Sequence, residues 1–257
     1  MWERELNVAQ MAAKKGGEIL NRLFGQINNI TRKGDIDLIT EADLEAENVI
    51  LDIISQNFPH DNIMSEEAGL RKKTSGRTWI IDPLDGTTNF AHAFPFFAVS
   101  IALEIEKEII LGIVYNPYLG EYFEAVQGNG AYLNNRPIHV SKVSSLGESL
   151  LGTGFPYNIR KKSKEVVELL SKMIIKAQGI RRPGSAAIDL CYVAAGRLDG
   201  FWEQDLKPWD TAAGTIIVKE AGGKLSTFDG SYYTPYMQSI VAANPLIHKS
   251  MIRILNS

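Results

Sequence analysis

The chain has 257 residues, 45% apolar and 22% charged, with a formal net charge of −3. That length buries a sizeable core in one large domain or two small ones, the composition is that of a globular protein, and the faintly acidic balance argues against nucleic acid as the main partner. The lone cysteine, Cys191, excludes an internal disulfide and sits in an apolar stretch suited to a buried thiol; no apolar run reaches the roughly 18 residues of a membrane span, and Met1-Trp2-Glu3-Arg4-Glu5 lacks a signal-peptide layout, so a cytoplasmic protein is expected.

In chain order, the spacing of Leu6, Ala13, Leu20, Leu23 and Phe24 predicts an amphipathic helix over 3–25. Gly16 and Gly17 inside it point to close helix packing. A second helix is expected from Thr40, an N-cap with Asp43 three residues on, burying Ala46, Val49, Ile50, Ile53 and Ile54 and ending before Pro59. Strands follow at 78–81, 97–104, 109–115, 121–126 and 131–133, with Glu106-Lys107 as a hairpin tip. After about residue 145 the pattern changes. Helices are expected at 161–178, 186–195 and 210–221, the last closed by Gly222-Gly223, with strands at 200–203, 224–227 and 239–243 and a C-terminal helix led by Pro245. The first part, 1–144, reads as α+β on a largely antiparallel sheet and the second, 145–257, as layered α/β. Two tightly joined halves with a cleft between them are expected.

The richest segment is Trp79–Phe90, WIIDPLDGTTNF. An apolar strand ends in Asp82, Pro83 is expected to stop the ladder, and Asp85 follows, before a turn that opens a short helix. Two carboxylates about 4 Å apart repel by roughly 4 kcal/mol at an effective dielectric near 20, so a cation between them is expected. Asp-Pro and Asp-Gly are also ordinary turn dipeptides, which keeps a purely structural reading open. Further acids stand where apolar runs meet loops: Asp37 and Asp43 in GDIDLITEAD, Glu66 and Glu67 in IMSEEAG, Asp205 and Asp210 in WEQDLKPWD. Each alone is usually a solvated charge or a cap. Spacing does not show that they converge.

WIIDPLDGTTNF is similar to the signature of the inositol monophosphatase family of lithium-sensitive, magnesium-dependent phosphatases, and PWDTAAGTIIVKEAGG resembles its C-terminal signature. DLITEAD, SEEAG, GNGAYLNNRPIHVS and RRPGSAAIDLCYVAAGRLDG resemble further family blocks in order, from about residue 30 to 245. The resemblance implies an αβαβα sandwich of the sugar-phosphatase type, a homodimer, and a site between the halves holding two or three Mg2+ ions. Glu66, Asp82 and the Leu84 carbonyl would hold one ion; Asp82, Asp85 and Asp210 a second; a third would lie near Glu66. Gly86 and Thr87 would offer N–H groups to the phosphate, Asp85 would also face substrate, and Thr87 with Asp43 and Glu66 would serve the attacking water. Lys33, or Arg32 in its place, corresponds to a basic residue near the site.

The implied reaction is in-line hydrolysis of a phosphate monoester, in which the metal activates water and stabilises the leaving alkoxide. A carboxylate nucleophile is a faint competitor, because Asp followed by Gly-Thr-Thr has a distant likeness to aspartyl-phosphate enzymes. Glu203 corresponds to a family carboxylate that accepts inositol hydroxyls. Gly184, Ser185 and Ala186 fall where relatives line the leaving-group pocket, and Lys207 stands where some carry histidine. Arg181 and Arg182 are a solvated pair or reach a second phosphate. Inositol 1-phosphate is therefore the expected substrate; fructose 1,6-bisphosphate and 3′-phosphoadenosine nucleotides are alternatives. A binding protein on a phosphatase fold stands as the non-enzymatic alternative, and intact Glu66, Asp82, Asp85 and Asp210 argue against it. His60, His92, His139 and His248 are read as structural or surface.

Overall fold

The computed structural model describes residues 2–26, 30–32 and 38–257. Helix α1 (Glu3–Leu23) is followed by β1 (Ile30–Arg32), which pairs antiparallel with β2 (Leu38–Thr40), and then by α2 (Glu41–Asn57). α1 buries Ala9, Ala12, Ala13, Gly16, Gly17 and Leu20, one stripe of a 3.6-residue period. A Cβ on Gly17 would come within 2.5 Å of the Tyr115 ring, so the glycine pair does mark a close approach rather than a break. α2 begins as its sequence predicts. The Thr40 hydroxyl accepts from the Ala42 N–H at 3.2 Å, while Asp43 Oδ2 accepts from the Thr40 N–H at 2.7 Å.

The next elements are β3 (Asn62–Ser65), β4 (Gly69–Arg71), β5 (Arg77–Asp85), α3 (Thr87–Ala91), β6 (Ala98–Ile105), β7 (Glu108–Asn116), β8 (Glu121–Val126), β9 (Ala131–Leu133) and β10 (Arg136–Ile138). Their strands form an eight-stranded sheet in the order β10-β9-β8-β7-β6-β5-β3-β4. All its neighbours are antiparallel except β3 with β5. Glu106 and Lys107 turn the β6–β7 hairpin with positive φ at both positions, the twist-compatible two-residue geometry.

The rest of the chain supplies β11 (Leu150–Thr153), α4 (Ile159–Ile174), β12 (Gly179–Arg181), α5 (Ala186–Ala194), β13 (Gly200–Gln204), α6 (Pro208–Glu220), β14 (Lys224–Ser226), β15 (Ser239–Ala243) and α7 (His248–Leu255). These strands form a five-stranded sheet, β12-β11-β13-β15-β14, parallel across its first three members and antiparallel across the others.

Side-chain alternation sorts the layers. On β5, Trp79 and Ile81 face α1 and α2, whereas Ile80 joins the core shared with α5 and α6. On β13 and β15, Phe201, Ile240 and Ala242 face that same shared core, while Trp202, Val241 and Ala243 face α7 and the α4 residues Leu169 and Met173. The order is therefore α1/α2, sheet, α5/α6, sheet, α4/α7: a mixed α/β sandwich of five layers, as expected. Among the boundaries that differ from expectation, two helices of the second part stand out. The helix expected over 161–178 runs over Ile159–Ile174, and the terminal helix starts at His248 rather than beside Pro245. There the Asn244 side chain accepts from the Leu246 and Ile247 N–H groups at 2.9 and 3.2 Å and so holds the turn that precedes the helix. Among the described residues no helix is long and apolar enough to cross a membrane.

Candidate active site

β5 does not stop at Pro83. Asp82 pairs with Ser100 and Asp85 with Ala98, so three steps on β5 match two on β6, and Pro83-Leu84 take up the extra residue as a bulge. The missing proline donor is tolerated at such an irregularity, which is why the strand runs on where sequence predicted its end. The bulge re-aims the strand end: Asp82 is 1% exposed and accepts from the Leu84 N–H at 3.0 Å. Gly86 then turns with φ +95°, where a Cβ would sit 2.9 Å from the Phe96 carbonyl oxygen, and α3 begins at Thr87.

Four other segments bring polar groups to this strand end. From α2, Asp43 Oδ1 accepts from the Thr87 hydroxyl at 3.1 Å; the same hydroxyl lies 3.0 Å from the Leu84 carbonyl. From the β3–β4 connection, the Glu66 N–H donates to the Ile81 carbonyl at 3.3 Å, placing Glu66 beside Asp82. From α5, the Ser185 hydroxyl and the Ala187 N–H donate to Asp85 Oδ2 at 2.6 and 2.7 Å, while the Ser185 Oγ also caps its own helix. Asp210 stands in the first turn of α6, its Oδ2 accepting from the Lys207 N–H at 2.6 Å.

Among the described residues no three acid, histidine or cysteine side chains form a ready-made metal cage. What converges on Asp82 is charge. Burial pushes its carboxyl well above the ordinary range, and Glu66, Asp85 and Asp210 each push it further. Burial lifts Asp85 to about 6, against the pull of the Ser185 hydroxyl and the Ala187 N–H. Asp210 is raised by burial first and then by Asp85. Carboxylates that crowd Asp82 and Asp210 and raise them further in a buried setting are a costly arrangement in the absence of a cation. The donors are all oxygen, with no histidine or cysteine among them, which suits a hard divalent cation.

A cavity of about 180 Å³ opens over these groups, lined on one side by Asp85, Gly86, Thr87 and Asp210 and on the other by Gly184, Ser185, Ala186 and Glu203. Glu203 is almost fully buried, and that burial lifts its carboxyl to about 8. Arg182 lines the cavity with its guanidinium 5.4 Å from the Phe155 ring centroid. Arg181 does not line it; its guanidinium donates to the Ile180 carbonyl at 3.1 Å on the surface. Lys207 is exposed and faces an adjoining recess with Tyr236 and Met237. Lys33 and Asp37 lie outside the described residues, as does the Arg32 side chain. Asp43, Glu66, Asp82 and Leu84 are not among the residues that line this cavity. His248 is buried against Ser226 at 3.1 Å, away from the cavity, and Cys191 is a buried free thiol.

Asp205, one of the acids the sequence singles out, enters the cavity from a left-handed turn with φ +62°, held by Lys162 Nζ at 2.6 Å. Sequence reasoning missed two contributors, Asp189 on α5 and Tyr157, which also line the cavity. Asp189 stands in the first turn of an otherwise apolar helix, which was a usable signal; Tyr157 is a loop residue with no periodicity to betray it.

Buried acids at a bulged strand end, facing a small polar cavity between the sheets of an αβαβα sandwich, define a phosphomonoesterase. The comparisons with known proteins agree. The chain belongs to the inositol monophosphatase family, whose model matches residues 1–257. It is 45% identical over 252 residues to an inositol-1-monophosphatase of Synechocystis, covering 97% of this chain and 88% of the relative. It is 43% identical to the Nus factor SuhB of Vibrio cholerae, covering 96% and 94%. The crystal structure of the extragenic suppressor protein suhB of Bartonella henselae superposes with a TM-score of 0.96 at 40% identity, over 99% of both chains.

Proposed function

We propose that the protein is a magnesium-dependent phosphatase that converts inositol 1-phosphate to inositol and phosphate. The observation carrying this reading is the convergence of Glu66, Asp85 and Asp210 on buried Asp82, beside a cavity that ends in Glu203. Glu66, Asp82 and the Leu84 carbonyl would hold one ion, and Asp82, Asp85 and Asp210 a second; a third would lie near Glu66. Bound magnesium supplies Lewis acidity, neutralising the phosphate and the leaving oxygen. The chain's own groups do the rest. The Gly86 and Thr87 N–H groups have no partner inside the short helix they open and are offered to phosphate oxygens. A water in line with the ester bond would give a proton to Thr87 Oγ1 as Thr87 passes its own to Asp43 Oδ1, the oxygen it already touches, while Oδ2 stays fixed by Thr40; or it would give that proton directly to Glu66, with Thr87 keeping its own. The water oxygen bonds to phosphorus, the ester P–O bond breaks, and the departing alkoxide takes a proton from solvent.

Glu203 would accept ring hydroxyls, and Gly184, Ser185 and Ala186 would flank the leaving group. Lys33 remains the proposed basic residue near the phosphate. Lithium inhibition, a homodimer and a cytoplasmic location complete the proposal, with the chain divided at 144/145 into a half carrying most of the metal ligands and a half carrying Asp210 and Glu203. Fructose 1,6-bisphosphate is the leading alternative substrate; of the two arginines, Arg182 in the cavity rather than Arg181 on the surface would meet its second phosphate. A purely non-catalytic role is not favoured, since all four acids are in place.

The test is magnesium-dependent phosphate release from inositol 1-phosphate, fructose 1,6-bisphosphate and 3′-phosphoadenosine 5′-phosphate, compared by kcat/KM. Preference for inositol 1-phosphate supports the reading. Equal or better use of the bisphosphate moves the assignment to a dual-function sugar phosphatase, and silence on all three overturns the enzymatic reading.

A further inference from the structure

Glu47 is a charged side chain on α2 that is only 4% exposed. Its Oε1 accepts three hydrogen bonds from one short stretch of chain: the Ser65 hydroxyl, the Glu67 N–H at 3.1 Å and the Ala68 N–H at 3.0 Å. Those donors bracket Glu66, which is tied on its other side to the Ile81 carbonyl next to Asp82. One turn earlier on the same helix, Asp43 holds the Thr87 hydroxyl. Positions i and i+4 of a helix share a face, so one stripe of α2 grips both the Thr87 end and the Glu66 end of the site. A carboxylate is acceptor-only and gains charge-assisted bonds to N–H and O–H groups. Glu47 does not line the cavity.

From this we infer that Glu47 is a positioning residue, which fixes the 65–68 turn so that Glu66 is presented to magnesium at the spacing set by Asp82. The inference rests on the proposed role of Glu66 as a metal ligand. It differs from a merely structural role in a checkable way. The pairing of β3 with β5 spans Asn62–Ser65 and Thr78–Ile81 and makes no use of Glu47, so losing the side chain should loosen the turn and leave the sheet intact.

The experiment titrates magnesium chloride into purified wild-type, Glu47→Ala and Glu47→Gln proteins by calorimetry, alongside thermal unfolding and kcat and KM for inositol 1-phosphate. Outer partners of metal ligands are typically worth about 10- to 100-fold in affinity, so E47A should bind magnesium at least about tenfold more weakly. Its kcat should fall at low magnesium and recover at high magnesium, with KM little changed. E47Q keeps an oxygen acceptor in the same place and should recover most of the affinity. A folded E47A that binds magnesium as the wild type does overturns the inference. So does a pair of variants that lose stability equally while binding magnesium normally. Should E47A fail to fold, Ser65→Ala removes one of the three donors and should weaken magnesium binding by a smaller margin; unchanged binding there also overturns it. A wild type that binds no magnesium, or Glu66→Gln binding it like the wild type, would instead remove the reading on which the inference rests, and the inference with it.

Discussion

The two walls of the cleft are held in place differently. On the wall of the eight-stranded sheet, Asp82, Asp85 and Thr87 sit on a bulged strand end and a helix start, and Asp43 and Glu66 reach them through hydrogen bonds from buried partners. On the opposite wall β13 supplies Glu203 and α5 supplies Ala186 and Asp189, but Arg182 follows the end of β12, and Phe155, Tyr157 and Asp205 stand on connections. Rigid elements give precise spacing, and loops give room for variation. In the proposed reading the first wall fixes the chemistry and the second selects the leaving group. Substitutions on the two walls should therefore fail in different ways.

The largest effect is expected at Asp82. Asp82→Asn should lower phosphate release at least about 10³-fold on every substrate, since several kcal/mol of metal-supplied stabilisation is at stake. The same variant should melt a few degrees higher than the wild type when both are metal-free, because it relieves a buried carboxylate opposed by Glu66, Asp85 and Asp210. A metal-free melting point that falls would contradict the electrostatic account. Next comes Glu203→Gln, which alters a hydrogen bond to a hydroxyl worth about 0.5–1.5 kcal/mol, or roughly 2- to 13-fold. The loss should appear in kcat/KM for inositol 1-phosphate and not for p-nitrophenyl phosphate, which has no ring hydroxyls; equal losses on both would place Glu203 in the chemistry instead.

Metal-free protein should also lose stability as pH rises. Asp85 and Glu203 have folded pKa values raised to about 6 and about 8, above their ordinary values of 3.8 and 4.5. Protonation therefore favours the folded state; that contribution is complete below about pH 4 and is lost as pH climbs through 6 and 8. Unfolding curves between pH 4 and 9 in chelator should show a declining midpoint, and saturating magnesium should flatten the decline. The smallest effect separates the two arginines. Arg182→Ala should change the ratio of bisphosphate to monophosphate turnover, whereas Arg181→Ala, off the cavity, should leave it unaltered.

Much of the architecture is legible in the residues. The β8 and β15 strands match their predicted bounds, since each is a β-branched or aromatic run closed by turn residues. The α2 cap is visible in Thr40 and Asp43. The short strands β1, β2, β3, β4, β10, β11 and β12 were not predicted, because three or four residues carry little alternation; β9 and β14, equally short, were legible beside the Gly128-Asn129-Gly130 and Gly222-Gly223 turns. β11 is the sharpest case: Leu150-Leu151-Gly152-Thr153 lies inside the second sheet between β12 and β13, yet the sequence reading assigns it nothing. Within the site, the acids on strand and helix ends were recognisable through their motifs. The bulge at Pro83-Leu84 was not, because proline normally argues against a continuing ladder and only the partner strand reveals the extra residue. Glu47 was equally hidden. In the sequence it is one of many helical glutamates, and only the fold brings the 65–68 turn against it.

The most direct measurement of the central claim is phosphate release from inositol 1-phosphate by the wild-type protein, first after exhaustive chelation and then as magnesium is returned. The account predicts no release without metal and a saturable return of activity as magnesium is added. Release that persists unchanged after chelation would contradict it.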